Sequence, residues 1–473
     1  MVFKRFMWVF TILFALHLAF VLYSFFIFTT EKHHFRMAAY TTENAYFYRK
    51  ATESSSLSRN YTTINLTEVI EYFMKFKGGK DIYTRVMHAD IFIYSVIGLN
   101  NSEIKKNQSN APWTNFGLTA WKHFEVPETN LSCCFLYQNG IVLNSKVRKI
   151  STYVKAKVQS FRFECVNPNP KSKPKGVTLI VKEYSCNSDI STYVAPVFPF
   201  SQPGNNTIAL CAKLAFGNLN AVLTVEWLEY NKKMGVDKIA VFISNLSSTT
   251  SEIFQHYQNS GFLEVHPFDL PMLGTIKRKF GEETGQFWSD EQVPVYDCMD
   301  RLAGYSIVGV VDFDEFIFPL QDKDFKQFVN RLRKTYHDVG LFTFLVDIYV
   351  MDWGKTNESE KLTITQFRNH TKTMLDRVKN FVIPDRIETG SANTHNAVPR
   401  KGYQRIWIPK TLAVLKHFRS CRPEWHENCY NRTHFPRFTD DSLVNRLLEV
   451  KTDKNVSLHD HILKVKKYLK LIS

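Results

Sequence analysis

An apolar, β-like segment, residues 306–311, runs directly into the acidic sequence Asp312-Phe313-Asp314-Glu315. The alternation of an extended chain would place Asp312 and Asp314 on one face. Apolar residues flank these acids on both sides, and buried carboxylates are costly unless they meet a cation. Open α/β sheets bind ligands at the carboxyl ends of their strands, and paired carboxylates suit a hard divalent cation. The sequence therefore predicts a metal site at a strand end, with a solvated acidic turn as the alternative.

The segments before this acidic sequence alternate between strand and helix patterns. Residues 208–214 and 238–243 are apolar and strand-like, and residues 222–234 between them show helical spacing. Such alternation favours an α/β fold with a mostly parallel sheet covered by helices on both faces. The helix would carry Glu226 and Glu229 on a solvated face.

Common nucleotide-binding and hydrolase motifs are missing from the sequence. No Gly-x-Gly-x-x-Gly follows the first strand, and residues 281–285 lack the Gly-Lys-Ser/Thr ending of a phosphate loop. There is also no Gly-x-Ser-x-Gly elbow and no His-Glu-x-x-His metal site. The formal net charge of +15 indicates an affinity for an anion, such as nucleic acid, a membrane surface or a nucleotide.

The amino terminus predicts insertion into a membrane. Residues 7–29 are apolar and uncharged, and a helix of this length crosses a bilayer core of about 30 Å. We expect an uncleaved signal anchor at residues 7–29, a cytoplasmic tail at 1–6 and a polar stem at 30–76. A cleaved signal peptide is the alternative. Either way the remainder would be lumenal, which excludes nucleic acid as a partner.

Glycosylation sequons and cysteines also favour the secretory lumen. Eleven Asn-x-Ser/Thr sequons begin at Asn60, Asn65, Asn100, Asn107, Asn130, Asn205, Asn245, Asn357, Asn369, Asn431 and Asn455. The eight cysteines include no Cys-x-x-Cys pair, which favours disulfides over zinc. Cys421 and Cys429 are close enough for a local disulfide, although His426 between them allows a metal alternative.

Residues 77–203 predict a separate β-rich lumenal domain. Short alternating segments, including 91–96 and 176–181, are interrupted by turn-forming proline, asparagine and glycine. Pro203-Gly204 is a plausible boundary with the α/β domain at residues 204–473.

Several motifs together resemble glycosyltransferase family 92 over roughly residues 205–420. They are Glu226-Trp227-Leu228-Glu229-Tyr230, Met234-Gly235-Val236-Asp237-Lys238-Ile239, Asp297-Cys298, Asp312-Phe313-Asp314-Glu315-Phe316 and Pro319. The resemblance implies a GT-A-like mixed, mostly parallel sheet with flanking helices. It also implies a metal-dependent, inverting transfer, usually of galactose from UDP-galactose, onto an N-glycan or another glycoconjugate. The implied location is the Golgi membrane, as a single-pass type II protein with a lumenal catalytic domain.

The resemblance also implies which residues form the metal site. Asp312 and Asp314 would hold manganese against the donor diphosphate, with Glu315 beside them. The pattern Lys-x-x-x-x-Pro followed by His offers His395 as a third ligand, and a His-aromatic-Arg element offers His417. For each histidine the alternative is a structural role.

The remaining candidates are basic residues for the donor phosphates and a carboxylate for the acceptor. Arg377 and Lys379 could neutralise the phosphates, although they could also be merely solvated. An inverting transfer needs a base for the acceptor hydroxyl, and Asp347 and Asp352 follow the predicted strand 341–346. A structural turn cap is the alternative for both. At the level of function, the alternatives are an inactive carbohydrate-binding protein of the same fold and a lumenal metal hydrolase of phosphates.

Overall fold

The computed structural model describes most of the chain after residue 81. The described residues are 82–99, 113–123, 130–155, 158–187, 190–191, 193–268, 291–421, 429–430, 436–450 and 456–472. They belong to one compact unit, Gly78–Ser473. The predicted tail, anchor and stem lie outside the described residues. Within the described part of the chain, every helix is too short or too polar to span a bilayer.

The first sheet is β-rich and mainly antiparallel, and it comes from the region predicted to be a β domain. Its strands are β1 Thr84–Arg85, β2 Ile91–Gly98, β3 Asn115–His123, β4 Leu131–Leu136, β5 Val142–Ser145, β6 Val147–Lys155, β7 Val158–Val166, β8 Gly176–Val181 and β9 Ala195–Phe198. Their order over the described residues is β5-β4-β8-β9-β2-β3-β7-β6, with β1 on β2. Neighbouring cysteines in β4 point to opposite faces, so each forms its own disulfide, Cys133–Cys165 and Cys134–Cys186.

The second sheet carries the acidic sequence. Its strands are β10 Ile208–Gly217, β11 Lys238–Leu246, β12 Leu263–Pro267, β13 Ile307–Val310, β14 Glu315–Pro319, β15 Val339–Val350, β16 Asn369–His370, β17 Met374–Val382, β18 Gln404–Ile408, β19 Ala413–Arg419 and β20 Phe438–Thr439. The path β12-β11-β10-β13 is parallel, as the alternation of strands and helices predicts. After the acidic sequence the chain adds antiparallel neighbours, so β13 pairs with β17 and β14 pairs with β19.

These pairings make the fold a mixed α/β fold. Among the described strands of the second sheet, five pairings are parallel and five are antiparallel, so the expectation of a mostly parallel sheet is wrong. The returning strands β17 and β19 reach the sheet from the opposite direction. Sequence alternation does not predict this reversal, because it identifies strands but not their partners.

Seven α-helices occur in the described residues. They are α1 Ala221–Lys233, α2 Ser248–Asn259, α3 Gln292–Arg301, α4 Phe325–Thr335, α5 Thr363–Gln366, α6 Ser442–Glu449 and α7 Leu458–Tyr468. Four of them begin after a polar residue whose side chain accepts a backbone N–H of the first turn, namely Asn220, Ser247, Asp324 and Ser457. After α1, Gly235 has φ +84°, the left-handed conformation that favours glycine past a helix end.

Every residue of helix α1 from 223 to 231 is buried, so the expectation that Glu226 and Glu229 are solvated is wrong. The exposed fractions of these two residues are 0% and 4%. Glu226 accepts hydrogen bonds from the backbone of Thr363 and Ile364, and it pairs with Lys466 of α7 at 2.9 Å. The C-terminal helix therefore covers the face of α1 that amphipathic spacing alone assigns to solvent.

The opposite side of α1 braces strand β14. The Trp227 indole donates a hydrogen bond to the Glu315 carbonyl at 2.7 Å, and the Tyr230 hydroxyl donates to the Ile317 carbonyl at 2.9 Å. Helix α1 thus holds the strand that begins with Glu315.

We expect Lys466→Met to lower the free energy of unfolding by about 3–5 kcal/mol, because it leaves the buried Glu226 carboxylate without its cation. Chemical denaturation would measure the change. The matched control is Lys467→Met at the exposed neighbouring position, which should change stability by less than about 0.5 kcal/mol. Equal stability of the two variants would contradict this account of the pair.

Candidate active site

The acidic sequence forms a tight turn between β13 and β14. Phe313 at its centre is buried and packs edge-on against Trp227, with ring centroids 4.8 Å apart. The Glu315 amide donates to the Asp312 carbonyl at 3.1 Å, and the Asp312 amide donates to Glu315 Oε2 at 2.9 Å. The side chains of Asp312 and Asp314 each remain 36% exposed. The turn is thus anchored by Phe313 and presents its two aspartates toward solvent.

Strand β19 brings a histidine to this turn. Its antiparallel register with β14 sets His417 opposite Glu315. His417 Nε2 lies 3.3 Å from Asp314 Oδ2, and Nδ1 lies 3.5 Å from Glu315 Oε1. One ligand atom from each of Asp314, Glu315 and His417 lies within 4.8 Å of the others, which is close enough to share one metal ion. We call these three residues the acidic triad.

Asp312 faces two lysines instead of joining the acidic triad. Lys213 Nζ lies 2.9 Å from Oδ1, and Lys379 Nζ lies 2.9 Å from Oδ2. Lys379 also lies 3.0 Å from Glu315 Oε2, and Lys213 lies 3.2 Å from Glu291. Burial by itself would raise the pKa of Asp312, but the two ammonium groups hold it well below its usual value. Asp312 is therefore a fixed anion.

Sequence reasoning did not identify Lys213. It lies at a register shift of β10 with φ +48°, and its side chain is only 7% exposed. One feature of the sequence could have identified it: Lys213 is the one charged residue in the otherwise apolar strand Ile208–Gly217. Such a buried charge requires a partner, and here the partners are Asp312 and Glu291.

The two basic residues predicted from the sequence, Arg377 and Lys379, and the predicted metal ligand His395 lie in different surroundings. Lys379 is fully buried against the carboxylates, whereas Arg377 is 42% exposed and its Nε atom lies 3.8 Å from Asp376 Oδ2. His395 Nδ1 lies 3.2 Å from the Val378 carbonyl. Burial, together with Lys379 and Lys213, lowers the pKa of His395 to about 3. Its ring is neutral at physiological pH, and it is not part of the acidic triad.

The two candidate bases lie apart from the acidic triad. Asp347 is opposite Lys416 in the parallel pairing of β15 with β19, one register position from His417. Because side chains alternate along a strand, Asp347 and His417 point to opposite faces. Asp352 accepts a hydrogen bond from the Cys421 amide at 2.7 Å, at the end of β19.

The sequence that contains this site matches a known protein family. A family model described as Glycosyltransferase family 92 matches residues 206–450. The chain belongs to glycosyltransferase family 92. The match contains the acidic triad and both lysines of the Asp312 pair. It confirms the expectation of a glycosyltransferase that the sequence motifs raised.

Other comparisons add little to the family assignment. No curated protein matches the chain. Among solved structures, a mycobacterial protein is 15% identical over 30% of this chain and 41% of its own, with a TM-score of 0.18. Staphylococcus aureus TarS is 13% identical over 54% of this chain and 42% of its own, with a TM-score of 0.25. UDP-glucose pyrophosphorylase complexed with UDP-glucose is 10% identical over 55% of this chain and 99% of its own, with a TM-score of 0.23. These similarities are too weak to assign a fold or a function.

We expect Lys379→Met in this transferase to lower the free energy of unfolding by about 3–5 kcal/mol at pH 7, since Asp312 and Glu315 lose their shared cation. The depressed pKa of Asp312 stabilises the native state above its ordinary value of 3.8, and that contribution is lost as pH falls through the folded value. Without Lys379 the carboxyl groups protonate more readily, so the deficit should shrink toward pH 4. Denaturant titrations at both pH values measure it.

The exposed Lys372→Met is the control and should change stability by less than about 0.5 kcal/mol. A Lys379→Met variant as stable as the wild type at pH 7 would contradict the role given to this ion pair.

Proposed function

We propose that the chain is a metal-dependent, inverting glycosyltransferase that moves galactose from UDP-galactose onto a glycan acceptor. The observation that carries the proposal is the acidic triad, Asp314, Glu315 and His417, at the end of a strand in a family 92 domain. The parallel strands β10 to β13 that lead to it support a GT-A-like arrangement.

The residues of the acidic triad fit a manganese ion. Carboxylate oxygens and an imidazole nitrogen form a donor set that suits Mn²⁺. The His417 Nδ1 atom is buried and makes no hydrogen bond with the described part of the chain, so this ring nitrogen is available to a ligand. When bound, the metal would act as a Lewis acid for the diphosphate leaving group. Asp314, Glu315 and His417 would hold it there.

The charges around the turn also favour a diphosphate once a divalent cation is bound. Asp312, Asp314, Glu315 and Glu291 provide four carboxylates, and the ammonium groups of Lys213 and Lys379 pair with three of them, Asp312, Glu315 and Glu291. Carboxylates therefore outnumber ammonium groups by two, which disfavours an anion. A divalent cation would offset this excess, so donor binding and metal binding would be coupled.

The chain's own residues would mainly position the reacting groups. Lys213 and Lys379 fix Asp312 from two sides, so its partly exposed carboxylate has a defined direction. A fixed carboxylate can accept hydrogen bonds from donor hydroxyls without reorganisation. The base for the acceptor stays a prediction, with Asp347 and Asp352 as its candidates.

We also propose that the transferase is a single-pass type II protein of the Golgi membrane, anchored by residues 7–29. The described residues contain four disulfides, which persist in oxidising compartments. They leave no free cysteine among the eight. This pairing agrees with the disulfide expectation and supports a lumenal body.

The test of activity uses the purified chain with UDP-galactose, other UDP-sugars and a panel of glycan acceptors, with MnCl₂ or with EDTA. We expect transfer from UDP-galactose that EDTA abolishes. Asp314→Asn should weaken Mn²⁺ binding by more than about tenfold, measured by calorimetry, and should reduce transfer by about 100-fold. The control Asp376→Asn removes an exposed carboxylate and should change neither quantity. Full transfer in EDTA would refute metal dependence.

The test of topology uses microsomes from cells that express the chain with a tag at each terminus. Protease added outside intact vesicles should remove the amino-terminal tag and spare the carboxy-terminal tag. Enzymatic removal of N-glycans should lower the apparent mass. Digestion of the carboxy-terminal tag in intact vesicles would contradict the proposed orientation.

A further inference from the structure

A second concave site lies where the first sheet meets the second, away from the acidic triad. It is a cavity of about 350 Å³ between strands β6 and β7, helix α3 and the loop of residues 384–400. Its lining includes Arg148, Arg162, Tyr296, Asp300 and Thr389. This volume falls within the range of small-molecule sites.

Two ion pairs lie in the wall of this cavity. Arg162 is 1% exposed at its side chain and lies 2.7 Å from Asp300 Oδ2. Arg148 lies 2.6 Å from Glu164 Oε2, and its side chain is 70% exposed. The Arg162–Asp300 pair fills the space above Gly117, where an added Cβ atom would collide with both side chains. A buried pair fixed in this way can contribute to a binding site without first being ordered.

The charges in the cavity are nearly balanced. Three arginines and four carboxylates line it, namely Arg148, Arg162, Arg400, Glu164, Asp300, Asp385 and Glu388. A nucleotide or phosphate would require an excess of cations, which this wall lacks. Adjacent carboxylate acceptors and guanidinium donors instead match the vicinal hydroxyls of a sugar, each of which both donates and accepts. The lining therefore fits a neutral saccharide.

Two elements connect the cavity to the acidic turn. Helix α3 follows Glu291, which pairs with Lys213, and carries Asp300 at the cavity. Nine residues of helix separate these points by roughly 14 Å. The loop that lines the cavity at Thr389 continues to His395, which lies near the two lysines. Gln292 of α3 donates to the Ala392 carbonyl of this loop at 2.8 Å, which joins the two elements.

We propose that this cavity binds a neutral hexose residue of the acceptor glycan, at an inner position relative to the sugar that receives the transfer. We assign the inner position because Asp300 lies nine residues along α3 from Glu291, the residue that pairs with Lys213 beside Asp312. This inference rests on the proposed transferase function, because it assigns an acceptor subsite to that enzyme.

The test fills the cavity without touching its ion pairs. Ala303 lines the cavity, and Ala303→Trp should raise the KM for an oligosaccharide acceptor by at least about tenfold, a loss of about 1.4 kcal/mol in binding. The KM for UDP-galactose, its slow hydrolysis without acceptor and the transfer to a monosaccharide acceptor should stay unchanged. Ala303→Ser is the control: serine is close in size to alanine and leaves the cavity open, so this variant should behave like the wild type. An unchanged oligosaccharide KM in Ala303→Trp would overturn the proposal.

A second pair of variants tests the polar wall. Glu388 is an exposed lining residue, and Glu388→Gln removes its charge with little change of shape. It should raise the same KM, whereas Glu252→Gln on helix α2 should not. Equal effects of the two substitutions would contradict a role for the cavity wall.

Direct binding separates this inference from the transferase proposal. Ligand-observed NMR with lactose and N-acetyllactosamine should detect binding to the wild-type chain that Ala303→Trp removes. That result would support the saccharide site even if no transfer from any UDP-sugar were found. Absence of binding by both disaccharides, or binding that survives Ala303→Trp, would overturn the site while leaving metal-dependent transfer intact.

Discussion

The buried ammonium of Lys379 is the interaction on which the acidic turn depends. Two carboxylates, those of Asp312 and Glu315, lie within 3.0 Å of this one group. Without this cation the two carboxylates would repel each other, and the buried carboxylate of Glu315 would lack a cationic partner, so the turn between β13 and β14 would lose its shape. Lys379 arrives on β17, the antiparallel neighbour of β13, and His417 arrives on β19, the antiparallel neighbour of β14. The antiparallel strands β17 and β19 thus supply the cation that stabilises the acidic turn and the histidine that completes the acidic triad.

The turn also separates the partners of the two aspartates in the Asp-x-Asp pattern. A continuous strand would direct Asp312 and Asp314 to one face, where they could share a cation. The strand ends at Val310, however, and Phe313 inserts into the core. The two aspartates consequently face different partners: Asp312 meets lysines, and Asp314 meets His417. Glu315, which the resemblance placed only beside the pair, contributes to both groups.

The local pattern of apolar residues predicts the position of many strands and helices. The alternating segment 176–181 coincides with β8, and the strand and helix segments from 208 to 243 agree with β10, α1 and β11 to within a few residues. These elements bury one recognisable run of apolar residues each, so periodicity suffices to locate them. The acidic sequence at the end of β13 was found in the same way.

Long-range partners could not be predicted in this way. Periodicity does not show that α7 covers the charged face of α1, or that β17 reverses direction beside β13. Lys213 is the clearest case at the site, since its role depends on a register shift and on residues 78 and 99 positions away in the chain. An isolated charge in an apolar strand indicates that a partner exists, but it does not indicate which one.

The disulfide between Cys211 and Cys298 has a consequence for how the two sites are spaced. Cys211 lies two residues before Lys213 on β10, and Cys298 lies two residues before Asp300 on α3. The covalent bond therefore ties the strand that reaches the acidic turn to the helix that lines the cavity. If one glycan bound at both places, the distance between its two bound sugars would have to match the fixed distance between the two sites. Such an enzyme would select its acceptors by how far apart two sugars lie, as well as by which sugars they are.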